Sequence, residues 1–418
     1  MNLLRIDSDL LVLDLIGDDE RGYDFITDEQ ILELKRLSPQ WGVVSLYLDV
    51  TPEAIQREAP LVQLRNGFKR LAERYETEWS HEARQTFQAV AADLESRVER
   101  WLDRPRGRGL ALFAEPERVQ PKKGAVSYRL IRHYHLPEAP RNRVEWGQAP
   151  VLVPLLVQRA RHPDTGVVLF DRRRVRFFLQ HMGEVAEYDF NLLNPDATPM
   201  TRAHTWHGYG EHNHHQWQQE HYRRYLRQAA LAVAKVADKA GWTQLVLAAA
   251  DGQEAHHLET HLPENWRRRV VGRVELPLDA DLNRVREAVL PVVEQAAEAR
   301  EKEALARLDE ALERGDGSAV VGVDSVLLAA QEYRVETLFI LPDLALEGWR
   351  CGRCGGLAEA DAAQCPYCGA DRMDRLPDLA GELAMDTFRA GGDVLAVQTQ
   401  EGRATLERHG GVGALLRY

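Results

Sequence analysis

HTWHGYGEHNHHQWQQEHYRRYLRQAA, residues 204–230, is the stretch around which the rest of the chain falls into place. Its first half reads as a loop: Gly208 and Gly210 break any regular element, and Asn213 suits a turn. From about Trp217 the positions Trp217, Tyr222, Tyr225, Leu226, Ala229 and Ala230 recur at three- and four-residue steps. That is the spacing of a helix, which can run on through LAVAKVA to about Lys239. A polar loop thus feeds a long helix carrying Arg223, Arg224 and Arg227. Six of the chain's fifteen histidines lie between His204 and His221. A polar tip inserted among phosphates and bases uses that density of nitrogen donors. The bland alternative is a solvated loop with incidental histidines.

At 418 residues the chain has room for two or three domains, and its 44% hydrophobic and 28% charged residues are ordinary globular composition. No run of 18 or more apolar residues exists, so no membrane span is expected. The opening MNLLRIDSDLLVLDLIGDDE is interrupted by Asp7, Asp9 and Asp14 and has no basic lead, so it does not read as a signal peptide. A cytoplasmic protein is expected. A net charge of -12 argues against a surface coated for general nucleic-acid binding. Any RNA contact must come from local patches: Arg172, Arg173 and Arg174 with Arg176; Arg223 and Arg224 with Arg227; and Arg267, Arg268 and Arg269.

The periodicities predict an α/β (α+β) multidomain chain with three α/β domains: 1–140, 144–276 and 279–418. In the first, residues 41–50 (WGVVSLYLDV) read as a strand, 60–78 and 80–102 as helices, and 110–114 and 126–135 as strands. LPEAPRNR, with Pro137 and Pro140, reads as a linker. In the second, residues 150–161 read as a strand, 165–171 and 174–181 as a hairpin, and 184–190 as its third member. The loop and long helix follow, then a strand at 245–249, a helix at 254–261 and a strand at 270–276. The third opens on one or two long helices, 280–314, whose charged pattern reads as a solvated face. Shorter elements follow: helices at 325–333 and 382–390, strands at 336–341 and 393–397, a helix or turn at 404–409 and a last strand at 413–418.

Cys351-Gly-Arg-Cys354 and Cys365-Pro-Tyr-Cys368 use all four cysteines of the chain. Two C-x2-C pairs separated by ten residues, each on a turn eased by Gly352, Gly355, Gly356 or Gly369, bring four thiolates to one tetrahedral Zn(II). Disulfides are the rival reading, and two such knuckles in a cytoplasmic chain are poorly explained by them. Four protein ligands leave no open position, so the expected zinc is structural.

The third unit carries a resemblance. GSAVVGVDSVLLAAQEYRVETLFI (317–340), the cysteine-knuckle insertion, and the ending GGVGALLRY (410–418) resemble the C-terminal domain of the archaeal and eukaryotic class I release factor and Pelota family. ILELKRLSPQWGVVSLYLDV (31–50) resembles the start of that family's N-terminal domain, and the middle unit fits by its layout and its Tyr222-Arg223-Arg224. The resemblance implies a tRNA-like ribosome factor that enters the A site with the loop 204–219 aimed at the peptidyl-transferase centre. Two motifs depart from the pattern. Decoding members carry Asn-Ile-Lys-Ser in the N-terminal domain, where residues 61–74 here read LVQLRNGFKRLAER. Release-active members carry Gly-Gly-Gln before the long helix, where the tip here reads Asn213-His214-His215-Gln216-Trp217-Gln218-Gln219. Gln216 follows the doublet His214-His215, while Gln219 matches relatives whose glutamine sits further on, after a Trp.

The alternatives stay open at this point. One is a factor that does not read a stop codon and only occupies the site, in rescue or hibernation, as Pelota and Balon-type relatives do. His212, Asn213, His214, His215, Trp217 and Gln218, with Arg172–Arg174, Arg223, Arg224 and Arg227, would then contact rRNA or tRNA. The other is a codon-independent peptidyl-tRNA hydrolase, as in Vms1-type relatives, with Gln219 or Gln216 catalytic. A catalytic metal held by His204, His207, His212, His214 and His215 lacks a carboxylate-rich partner motif. The resemblance further implies the ribosome, a P-site tRNA and a translational GTPase as partners.

Overall fold

The strand β2 (Val43–Asp49) forms because nearly every side chain in VVSLYLD has apolar surface to cover, and both faces of the strand are covered. The computed structural model describes residues 15–16, 28–37, 41–75, 80–103, 107–120, 125–194, 210–359, 364–376 and 378–418. In chain order, β1 (Leu15–Ile16) and α1 (Asp28–Lys35) precede β2; α2 (Pro52–Gln56), α3 (Ala59–Arg74) and α4 (His81–Leu102) follow it. Ser80 starts α4 by accepting from Ala83 N at 3.1 Å. The long hairpin β3 (Gly109–Gln120) and β4 (Ala125–Leu136) and then β5 (Arg143–Gly147) complete an antiparallel sheet in the order β4-β3-β2-β5. Val44, Leu46 and Leu48 pack against Leu64, Phe68 and Leu71 of α3 and Phe87, Val90 and Leu94 of α4. On the other face, Tyr47 donates its hydroxyl to Val151 O at 2.6 Å, and Ser45 Oγ accepts from Val151 N at 3.0 Å.

Residues 150–161, expected as a strand, form the helix α5 (Val153–Arg161). An apolar run of this length has no decisive period. Pro154 favours the first turn of a helix, and Arg159 and Arg161 suit its last. The hairpin expectation holds in β6 (Thr165–Phe170), β7 (Arg174–His181) and β8 (Glu184–Leu193). The helix α6 (Gly210–Ala240) starts well before Trp217. Asn and His are poor helix formers without being breakers, and each added residue costs little once the buried downstream turns are in place. Then come β9 (Gln244–Ala249), α7 (Gly252–His261), α8 (Glu264–Arg267) and β10 (Val270–Glu275). The sheet order is β1-β8-β7-β6-β9-β10, with β6, β9 and β10 parallel to one another. One face carries Tyr225, Leu226, Ala229, Ala230 and Val233 of α6 with the fully buried Trp266.

The other face of that sheet takes Val285, Val289 and Val293 of α9 (Leu282–Arg314), a single helix. Its later turns turn a different stripe, Leu305, Leu308 and Ala311, into a second core with Phe339, Leu341 and Leu415. β11 (Ala319–Val321), α10 (Val323–Gln331) and β12 (Val335–Ile340) lead to a small antiparallel ribbon, β13 (Gly348–Cys351), β14 (Leu357–Glu359) and β15 (Met373–Leu376). α11 (Leu379–Arg389), β16 (Asp393–Ala396), α12 (Gln400–Glu407) and β17 (Val412–Leu416) finish a sheet ordered β11-β17-β12-β16. The charged pattern of α9 has one buried exception. Glu301, 2% exposed, accepts the backbone N–H groups of Gln398 (3.0 Å) and Thr399 (2.7 Å) at the start of α12.

The chain falls into two compact units, Met1–Tyr23 with His162–Ala297 and Asp24–Arg161 with Glu298–Tyr418. Within the second, α5 packs on β16 and α11, Lys35 pairs with Glu382, and Gln398 donates to Glu138 at 2.7 Å. Among the described residues no helix is long and apolar enough to cross a membrane.

Gly166 in β6 shows how tightly the first unit is built. A Cβ there would meet Trp242 at 1.9 Å, and Trp242 is itself fixed by donating Nε1 to Tyr188 Oη at 3.0 Å. Gly166→Ala is expected to destabilise this unit by about 1–3 kcal/mol through overpacking. The denaturant midpoint should fall with an unchanged slope, and Trp242→Leu in the same background should recover part of the loss.

Candidate functional site

The connection between β6 and β7 carries Arg172, Arg173 and Arg174, and several independent bonds hold its backbone. Asp171 Oδ1 accepts from Arg173 N at 2.6 Å and Arg174 N at 2.9 Å, the side-chain turn that Asp favours. Asn194, just beyond β8, donates Nδ2 to Arg172 O at 2.7 Å and its backbone N to Arg173 O at 2.6 Å. Tyr225 on α6 donates its hydroxyl to Asp171 O at 2.9 Å. The turn is therefore tied to the helix that continues the sequence stretch 204–230.

Arg172 lies over the Tyr222 ring at 5.1 Å and 3.3 Å from Glu254. Burial first, and the Glu254 carboxylate next, push the Tyr222 phenol up to about 12, so it stays neutral under the guanidinium. Arg173 is exposed and Arg174 half-buried; on α6, Arg223, Arg224 and Arg227 point to solvent while Tyr225 and Leu226 are buried. None of these five guanidinium groups has an acidic partner among the described residues. Their forks remain available for bidentate hydrogen bonding to phosphate oxygens. Arg176 and the third basic run are used locally. Arg176 makes paired 2.7 Å bonds to Glu187 and caps the carbonyls of Leu278 and Ala280. Arg267 and Arg268 both pair with Glu264, and Arg269 lies over Trp266 at 5.0 Å.

His204 and His207 lie outside the described residues. For His212, Asn213, His214, His215, Gln216, Trp217 and Gln218 only the helical backbone of α6 is described; their side chains lie outside the described residues. Gln219 is exposed on α6. Residues 61–74, expected from the resemblance to stand where a decoding segment would, lie within α3, which buries Leu64, Gly67, Phe68 and Leu71 against the first sheet.

The four cysteines meet as their spacing predicts. Their Sγ atoms all lie within 4.8 Å of one another, with Cys351–Cys368 at 3.6 Å and Cys354–Cys365 at 3.5 Å. These separations exceed any disulfide and match the edges of a tetrahedron, about 3.8 Å, that follow from metal–sulfur bonds of about 2.3 Å. The two knuckles are alike: Gly355 N donates to Cys351 O and Gly369 N to Cys365 O, each at 2.9 Å. Both glycines have positive φ, 75° and 68°, a conformation that L side chains avoid. Backbone N–H groups of Cys354 and Arg353 aimed at Cys351 draw its thiol down to about 6, which suits a thiolate ligand. The donor set can hold a metal ion. Sequence reasoning did not find what anchors this ribbon: Arg350, beside the first ligand, pairs with Glu382 and Asp386 of α11. It also missed Asn194, since a lone Asn carries no motif, and it named Tyr222 without placing it beneath Arg172.

Residues 150–301 match the model of the family described as bacterial archaeo-eukaryotic release factor family 10. Over those residues the chain is similar to that release-factor family. Among solved structures it is similar to an archaeal translation termination factor, aRF1, at 16% identity over 93% of this chain and 96% of that one, with a TM-score of 0.23. It is similar to Dom34 of S. cerevisiae, a translation termination-like factor interacting with Hbs1, at 11% identity over 74% and 80%, TM-score 0.39. A ribosome-bound archaeal Pelota with ABCE1 gives 15% identity over 73% and 78%, TM-score 0.40. No curated protein matches.

Proposed function

We propose that this chain is a translation factor that occupies the ribosomal A site without reading a stop codon, in ribosome rescue or hibernation. The observation that carries the reading is the set of five guanidinium groups on the β6–β7 turn and α6 without an acidic partner among the described residues, within the segment matched by the release-factor family. On a chain of net charge -12 such a patch is where an RNA phosphate backbone is attracted. The regular helix α3 at the place of the decoding segment supports a role without codon reading. The division into domains 1–140, 144–276 and 279–418, a cytoplasmic location, and a P-site tRNA and translational GTPase as partners belong to the same proposal. So does zinc as the metal: four thiolates close a tetrahedron, leaving no coordination position for catalysis, and the ion would hold the β13–β15 ribbon.

A second reading, codon-independent hydrolysis of peptidyl-tRNA, is favoured by the exposure of Gln219 on α6. Release of labelled peptide from purified ribosomes, followed before steady state, separates the two. We expect binding without release, Gln216→Ala and Gln219→Ala both silent, and weaker occupancy on replacing His214 and His215. Robust release, lost with either glutamine, would establish hydrolysis, because positioning catalysis collapses when its positioning group is removed.

A further inference from the structure

The second unit holds a cavity of about 930 Å³ between α3, the segment running into β5, α5 and the chain after β12. That volume is at the upper end for small-molecule sites. Nothing in the translation-factor reading uses it. Leu71, Pro140, Val144, Pro154, Val157 and Leu344 supply its apolar lining, with Pro154 and Leu344 half-buried and the other four buried. Arg70, Arg74, Arg141, Arg143 and Arg403 also line it. Gly67 permits this arrangement: a Cβ there would meet Val144 at 2.3 Å, so only glycine lets α3 lie this close to β5.

Four carboxylates also line the cavity, and each already has an arginine. Glu145 lies 3.3 Å from Arg74 and 3.6 Å from Arg143. Asp343 takes Arg403 at 2.9 and 3.1 Å. Glu138 takes Arg161 at 2.6 Å, and Glu347 takes Arg375 at 2.8 Å. Arg161 and Arg375 reach in from outside the lining, so the acids of the cavity are neutralised partly by cations that do not line it. Arg70 and Arg141 have no acidic partner among the described residues, and the five arginines of the lining outnumber its four carboxylates by one. The potential is felt across the space: the Glu347 carboxyl is held below its ordinary value first by Arg375, and also by Arg74 and Arg143.

We infer that this cavity binds a free nucleotide, its phosphates taken by Arg70 and Arg141 and its base laid against the proline and aliphatic lining. Guanidinium forks match phosphate oxygens in pairs. A bare phosphate would leave most of the volume and the whole apolar lining without a partner. An uncharged nucleoside would leave the two arginines without one. The bound base would be held by shape and apolar contact, so adenine and guanine nucleotides should bind with similar affinity.

The test is calorimetric titration of the full chain, free of ribosomes, with ATP, GTP, adenosine and inorganic pyrophosphate. Saturable binding of ATP and GTP at one site is expected, with adenosine and pyrophosphate each weaker by about tenfold or more. Arg70→Glu with Arg141→Glu should remove detectable nucleotide binding, and Arg70→Gln with Arg141→Gln should weaken it by about tenfold or more. Both arginines are exposed, so thermal melting should be unchanged in either pair. Absence of saturable nucleotide binding, nucleotide affinity unaffected by the paired variants, or pyrophosphate binding as tightly as ATP would each overturn the inference. The measurement contains no ribosome, so its outcome is separate from that of the A-site reading.

Discussion

Cys365→Ser is expected to strip the chain of its metal and melt the ribbon β13–β15 while the first sheet stays folded. Cys365 is 3% exposed, and its sulfur completes a cluster in which every Sγ lies within 4.8 Å of the others. Ribbon strands of four, three and four residues have almost no core of their own; Trp349 is only half-buried. Metal binding is then most of what folds them, and in small zinc modules it supplies about 10–16 kcal/mol. Replacing one thiolate by a hydroxyl should lower metal affinity by several orders of magnitude. β14 packs on α10 and α11, and the ribbon's charged link to the rest of the unit runs through Arg350. Arg350 belongs to β13 and pairs with Glu382 and Asp386, and Glu382 also pairs with Lys35 of α1. When the ribbon melts, Glu382 keeps Lys35, so α1 and α11 should hold. Elemental analysis should give one zinc per wild-type chain and none for the variant. Hydrogen exchange should quicken at 348–376 and stay slow in β2 and β3. A metal-replete wild type without zinc, or unchanged ribbon protection after chelation, would contradict this account.

The contrast between what the sequence foretold and what it did not has a physical pattern. β2, β6 and β9 are short segments dominated by Val, Leu and other apolar residues and covered on both faces, and such segments read as strands. The cysteine cluster was legible because a tetrahedral ion demands two short loops with two ligands each. The segment before β6 was not legible as helix. VPLLVQRAR is apolar enough for either element, and the choice is made by packing on β16 and α11, more than two hundred residues away in sequence. Membership of β5 in the first sheet follows from its pairing with β2, with Val144 opposite Leu46, which no local signal near Pro137 and Pro140 announces. The arginine patch was legible only as a list. Arg176 and Arg267–Arg269 stand among the basic runs of the sequence but not among the expected RNA contacts, and the positions of Glu187, Glu264 and Trp266 give the physical ground for setting them apart.

That separation makes the ribosome prediction selective. Arg173→Glu combined with Arg223→Glu and Arg227→Glu is expected to weaken co-sedimentation with 70S ribosomes by about a hundredfold or more. Each charge-assisted bond to phosphate contributes about 1.5–3 kcal/mol, and reversal adds repulsion to the loss. All three side chains are exposed, so the fold should be unaffected. Salt gives a second readout. Binding through phosphates releases counterions, so log affinity falls with log salt at about 0.7–0.9 per contact, and losing three contacts should flatten that slope by about two. Arg267→Glu with Arg268→Glu is the control. It reverses two exposed guanidinium groups against the patch's three, and both already serve Glu264. A small loss there beside a large loss at the patch is the expected result. Tyr222→Ala should fall between them, since it removes the ring beneath Arg172 without removing a charge. Equal losses from patch and control would reduce the attraction to bulk charge. No loss from the patch would place the ribosome-binding surface elsewhere on the chain.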